Sequence, residues 1–241
     1  MEWREEGAVL TVRPHGESGA ILEAFTEGHG RHAGVVRGGA GRRMSPLLQP
    51  GAQVLLTWRA RLEGNLGTYG VEPVRARAAA MDGREPLAGL AAITALAAFA
   101  LPERVAYPDL YRQTLTVLDL IGTSEHWPFA YLQWELALLE RMGFGLDLAA
   151  CAATGATRDL AWISPKSGRA VSRAAGTPYA DRLLPFPPCL AGTPPASRAE
   201  LLEGLRTTGW FLDHRLRPGL GERPLPPARA RLVAALARAA G

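Results

Sequence analysis

The apolar residues of this chain follow two different periods, and the change between them falls near Met81. Before it they alternate with polar neighbours, the spacing of a half-buried strand; after it they recur every three or four residues, the spacing of an amphipathic helix. Segments 8–12, 20–25, 33–37, 54–62 and 68–74 are each predicted as short strands. In the longest of them Val54, Leu56, Trp58 and Ala60 alternate with Leu55, Thr57, Arg59 and Arg61, which puts Arg59 and Arg61 on one strand face. Pro14 is expected to end the first strand, because it has no N–H to donate to a ladder. The Glu27-Gly28-His29-Gly30 segment is turn chemistry joining the second and third strands as a hairpin. Residues 38–51, rich in Gly, Arg and Pro, form a long connection. Five short strands with a long link after the third fit a small closed barrel of the OB kind, with an SH3-like barrel as the alternative.

Helices are predicted over 87–100, 110–121, 129–142, 198–215 and 228–239. Pro108 and Pro128 stand where a first turn tolerates proline, Gly122 and Gly143 stand where a helix stops, and Ser197 is placed to cap the fourth helix. Residues from about 145 to 195 are irregular, with β-like pieces at 161–164 and 170–171. The expected architecture is therefore α+β. A five-stranded OB-fold barrel spans 1–79, and an α-helical C-terminal domain spans 80–241 and carries the irregular insertion.

Composition narrows the function classes. Hydrophobic residues at 47% and charged residues at 21% belong to a globular chain. The most apolar run, 87–101, is shorter than the roughly 20 residues a bilayer requires, so no membrane association is expected. The opening Met1-Glu2-Trp3-Arg4-Glu5-Glu6 is too acidic for a signal peptide, and two cysteines, Cys151 and Cys189, suit a reducing compartment. A cytoplasmic protein is the expectation. Phosphate-loop, zinc-protease and nucleophile-elbow motifs are all lacking. His15, His29 and His32 lie near Glu17 and Glu27, where an acid–base pair is conceivable, but surface histidines in a basic barrel explain them better. The protein is not expected to be an enzyme.

Charge gives the sharpest local signal. The net charge is +4, and Lys166 is the only lysine among 27 basic residues. From Gly28 to Leu62 the chain carries Arg31, Arg37, Arg42, Arg43, Arg59 and Arg61 and no acid. On a barrel these six are the candidate DNA-binding residues, able to track a phosphate backbone, with Trp58 and Tyr69 as candidate stacking platforms. Alternation sets Trp58 opposite Arg59, beside Val54 and Leu56, which favours a core role for it. Cys151-Ala-Ala-Thr154-Gly155 keeps the frame of a CxxCG zinc knuckle with threonine at the second ligand. Tetrahedral zinc needs four N or S donors, so neither metal nor another cofactor is expected.

Met1-Glu2-Trp3-Arg4 followed by Gly7-Ala-Val-Leu10 and Arg13-Pro14-His15-Gly16-Glu17 resembles the start of the RecO family of bacterial recombinational repair proteins. Gly28-His-Gly-Arg31, Val35-Val36-Arg37-Gly38-Gly39 and Leu48-Gln49-Pro50-Gly51 continue the likeness. Downstream, Glu135 to Phe144 and Leu146-Asp147-Leu148 extend it. The resemblance implies binding of single- and double-stranded DNA and annealing of complementary strands. It also implies work with RecR to help RecA load onto DNA coated by single-strand-binding protein, and contact of the helical domain with the C-terminal tail of that coating protein. Arg112, Arg141, Arg206 and Arg215 are candidates for that last contact. Some members hold zinc with two CxxC pairs; here Thr154, Ser172 and Ala175 fall at three of the four places, so Trp162, Tyr179 and Leu183 are expected to hold the loop by packing. The rival expectation is a protein-interaction module that recruits repair partners without touching DNA.

Overall fold

The computed structural model describes every residue except Glu63, Glu222 and 239–241, so the last expected residue of the final helix, 239, lies outside the described residues. The chain is α+β, with a five-stranded N-terminal sheet and a helical C-terminal region. Strands β1 (Glu2–His15), β2 (Gly19–Thr26), β3 (Gly30–Val36), β4 (Gln53–Arg59) and β5 (Thr68–Arg75) close on one another in the order β1-β2-β3-β5-β4. All pairings are antiparallel except β3 with β5, which meet in parallel through Val35 and Val36 against Thr68 and Tyr69. Inward residues Val9, Leu22, Val36, Val54, Leu56 and Trp58 fill the barrel.

Several strand ends differ from expectation, most of all in β1 and β4. β1 starts at Glu2 and runs through Pro14 to His15. Its first half pairs with β4 as far as Ala8, and its second half pairs with β2 alone, so Pro14 sits where one side of the strand has no ladder to supply. The register shift between Val9 and Thr11 marks the bend between the halves. β4 ends at Arg59, and Arg61 stands in the bend that follows, so the two arginines do not share a strand face.

Met1–Glu125 with Pro226–Leu232 forms one compact unit, and His126–Leu225 with Val233–Gly241 forms the other. In the first, α1 (Arg84–Ala100) and α2 (Pro108–Leu120) belong with the barrel. Their apolar stripes, Leu90, Ile93 and Ala97 on α1 and Leu110, Val117 and Leu118 on α2, need a surface to cover them. Tyr111 meets Phe25 of β2 edge to face at 5.4 Å, and its hydroxyl donates to the Glu6 carbonyl. Arg77 is buried yet fully used, donating to the Gly51 carbonyl at 2.6 Å and to Asp119 at 2.9 Å. Gly122 ends α2 with φ +79°, and a Cβ there would stand 2.3 Å from the Ala79 carbonyl oxygen.

In the second unit α3 (Trp127–Arg141) packs on α5 (Arg198–Phe211), and the buried Glu135 carboxylate accepts from Thr208 Oγ1 at 2.5 Å. Ser197 caps α5 as expected, accepting the Glu200 N–H. A π-helical turn over Leu212–Leu216 leads into α6 (Arg217–Gly219), and α7 (Pro227–Arg238) follows. The irregular insertion holds β6 (Leu160–Ile163), β7 (Ala170–Ser172) and β8 (Leu184–Pro185), in the sheet order β7-β6-β8, and a single turn, α4 (Arg173–Gly176). Here the Ser172 N–H donates to Cys151 Sγ at 3.2 Å. Hydrogen bonds from the side chains of Ser172 and Thr154, and after them that backbone bond, hold the thiol down to about pKa 6. Trp162 and Leu183 close over Gly176, but Tyr179 is 58% exposed. Its place on a kinked 3-10 turn, with non-helical φ and ψ at Tyr179 itself, turns the ring outward.

Candidate nucleic-acid interface

The barrel wall between β3, β4 and β5 carries a concavity of about 670 Å³ lined by Val36, Arg37, Met44, Thr57, Arg59 and Thr68, among others. Arg37 is the first residue past β3, where the strand gives way to the long connection, so its side chain leaves the ladder at the rim. Arg59 closes β4 at the same rim and meets Glu2 of β1 at 2.7 Å. Both partners are well exposed; their mutual hydrogen bond lowers the Glu2 carboxyl's pKa and raises that of the guanidinium, and an ion pair so placed is easily exchanged for another anion. Arg42 and Arg43 stand exposed on the connection immediately before Met44, which lines the concavity, and Arg61 stands exposed two residues past Arg59. Among the described residues Arg37, Arg42, Arg43 and Arg61 make no ion pair.

Arg31 is placed differently. Its side chain is only 16% exposed, held by Glu23 at 2.8 Å and by the Leu101 carbonyl at 2.7 Å. It ties β3 to the segment before α2. Trp58 and Tyr69 are likewise interior, at 3% and 5% exposure, and Trp58 Nε1 donates to the Leu66 carbonyl. The core role favoured for Trp58 is the one it has. Burial raises the Tyr69 hydroxyl's pKa, and its neighbour there is His32 Nδ1 at 3.2 Å. Burial, followed by the charge of Arg104, pushes His32 down to about 4.

A second concavity, about 410 Å³, opens beside these rings and is lined by Met1, Glu2, Trp3, Gly28, His29, His32, Trp58 and Arg104. Trp3 of β1 pairs in register with Trp58 of β4, and Trp58 with Tyr69 of β5, so three rings form one row across the sheet. His29 lies parallel to Trp3 with centroids 4.2 Å apart. Its Nδ1 meets Glu5 at 2.7 Å, and Glu27, the acid near it in sequence, instead pairs with Arg112. The sequence reading missed Trp3, Glu5 and Arg104 as site residues. The first two became visible only once β1 was seen to start at Glu2; Arg104 comes from a loop remote in sequence.

Among the described residues no three His, Cys, Asp or Glu side chains gather where they could hold a metal ion. No described helix is long and apolar enough to cross a membrane.

These features define an α+β protein whose N-terminal β-barrel carries a cationic concavity at its rim. Residues 1–77 match the family model for the N terminal of recombination protein O, and residues 83–224 match that for its C terminal. Over 239 residues, 99% of both chains, the sequence is 60% identical to the DNA repair protein RecO of Ruegeria sp. (strain TM1040). It is 56% identical over 240 residues, again 99% of both, to that of Dinoroseobacter shibae. To that of Jannaschia sp. (strain CCS1) it is 57% identical over 239 residues, 99% of this chain and 97% of the other. The chain belongs to the RecO family of proteins of DNA repair and recombination.

Proposed function

We propose that this protein is a DNA-binding mediator of recombinational repair whose barrel is an OB-fold. It binds single- and double-stranded DNA along the arginine-bearing rim and anneals complementary strands. With RecR it helps RecA load onto DNA coated by single-strand-binding protein. The observation that carries this reading is the gathering of Arg37 and Arg59 at one concavity, beside the exposed pair Arg42 and Arg43, in a chain of this family. Arg61 extends the track, while Arg31, engaged with Glu23 and the Leu101 carbonyl, braces the outer face of the wall. Docking of the coating protein's C-terminal tail falls to the helical domain. Of the candidates, Arg206 is exposed and Arg215 donates to the Lys166 carbonyl, whereas Arg112 lies on α2 in the barrel's unit and is paired with Glu27 and Asp109.

Oligonucleotide binding measured across a salt series tests the DNA reading. Five phosphate contacts give a slope of log K against log salt of about −3.5 on single strands, at about −0.7 per contact. The double variant Arg42→Ala, Arg43→Ala is expected to flatten it by about 1.4, with a loss independent of sequence. Unchanged affinity and slope in that variant would remove the connection from the site. No binding at all by the wild type would leave the interaction-module reading in its place.

A further inference from the structure

We propose that the Trp3–His29–Arg104 concavity is a subsite for one unpaired nucleobase, separate from the phosphate-binding rim; the proposal rests on the DNA-binding reading above. The cavity walls are rings: Trp3, His29, His32 and Trp58 all face it. Trp3 lies within 10° of parallel to His29 and within 18° of Trp58, so the walls present aligned aromatic planes. His29 keeps 40% of its side chain exposed and is reachable from solvent, whereas Trp58 is sealed beneath. A planar heterocycle entering here gains ring stacking without needing a particular base edge, the manner in which single-strand-binding surfaces tolerate any sequence.

Two further features point to a nucleic-acid strand rather than an apolar ligand. Glu5, the acid beside the stacked rings, is engaged with both His29 and the Gly28 N–H. The guanidinium of Arg104, which lines the cavity, stands 5.9 Å over the Trp58 ring and donates to the Asn65 carbonyl, and the phosphate next to an inserted base would pass it. Arg104 also holds a left-handed backbone, φ 60°, a conformation disfavoured for a residue with a Cβ. It is maintained by close backbone packing. Arg104 N–H donates to the Arg31 carbonyl at 2.8 Å, and Gly30, itself at φ +64°, lies so near Val105 that a Cβ would come within 2.0 Å of its carbonyl oxygen. Strain of this kind, sustained by its surroundings and aimed at a cavity, is common where a side chain must be held in place for a ligand.

The test compares a thymidine oligonucleotide with an abasic strand of equal length, using the full chain. Wild type is expected to favour the base-bearing strand by on the order of tenfold, the scale of one stacked base. His29→Ala and Trp3→Ala should each shrink that preference while leaving affinity for the abasic strand and its salt slope unchanged. Melting temperatures show whether each variant is folded, and Trp3→Phe, which keeps a ring, should retain most of the preference. The emission lost between wild type and Trp3→Phe should be the part quenched by the thymidine strand and spared by the abasic one. Equal binding of the two strands by wild type, or a preference that survives in both alanine variants, overturns the subsite and leaves the rim reading intact. Binding of neither strand overturns both.

Discussion

The two concavities of the barrel share strands β3 and β4 and are built on opposite principles. The rim holds charged, exposed, loosely committed side chains: Arg37 and Arg59 at the ends of strands, Arg42 and Arg43 on the connection. Its effect on a polyanion depends on how many charges are present more than on where each one points, because phosphate attraction is long-ranged and sequence-independent. The ring cavity is the reverse. Trp3 and Trp58 are held parallel by cross-strand register, Trp58 is also hydrogen-bonded, and His32 packs edge-on against both, so a displacement of an ångström would disturb the stack. Side chains at the rim can therefore change with little cost to the fold, whereas those at the ring cavity are part of it.

The largest expected effect breaks the ring cavity at its base. Trp58→Ala removes a ring that is 3% exposed, and truncations of this size cost about 3–5 kcal/mol. Chemical denaturation should show that loss as a lower midpoint. A drop confined to DNA affinity, with stability kept, would mean that Trp58 belongs to a binding face after all. Next comes Gly30→Ala, where a Cβ would strike the Val105 carbonyl and the backbone is left-handed. A loss of about 1–3 kcal/mol follows from strain of this type, read in the same experiment.

At the rim the expected balance is inverted. Arg42→Ala with Arg43→Ala should alter stability by no more than about 0.5 kcal/mol while weakening DNA binding, because neither residue is paired in the fold. A matched fall in both quantities would erase the contrast between the two sites. The smallest effect is a pH dependence. His32 is buried neutral, with its pKa lowered from 6.5 to about 4, so between those values the unfolded chain binds the proton and the folded chain does not. Stability should thus decline as the pH falls from about 6.5 toward 4 and level off below, and His32→Gln should remove that part of the slope. An unchanged slope in the variant would assign the decline to other groups.

Much of the architecture was legible because local pattern and tertiary demand agree. The turn at Glu27–Gly30, the cap at Ser197 and the helix stops at Gly122 and Gly143 depend on backbone chemistry within a few residues, and all stand where expected. The β1 start was missed because Glu2, Trp3, Arg4, Glu5 and Glu6 look too polar for a strand, yet their burial alternates and β4 supplies the partner. The arginine-rich stretch was visible, but its division was not. Only folding brings Glu23 and Leu101 to Arg31, and Glu2 to Arg59.

The sequence by itself determined the two periods, and with them five strands followed by helices, since hydrophobic spacing selects an element before any long-range contact forms. It also determined the run of six arginines without an acid from Gly28 to Leu62, so that any partner carboxylate had to come from elsewhere in the chain. What the tertiary structure alone decided is which charges remain available and which rings meet. Arg31 is spent on Glu23, Arg37 is free at the rim, and Trp3 finds Trp58 across β1 and β4. Arg104, far from all of them along the chain, is held over the same cavity. Pairings of this kind arise from barrel closure and loop packing, which join residues whose separation along the chain leaves no periodic trace.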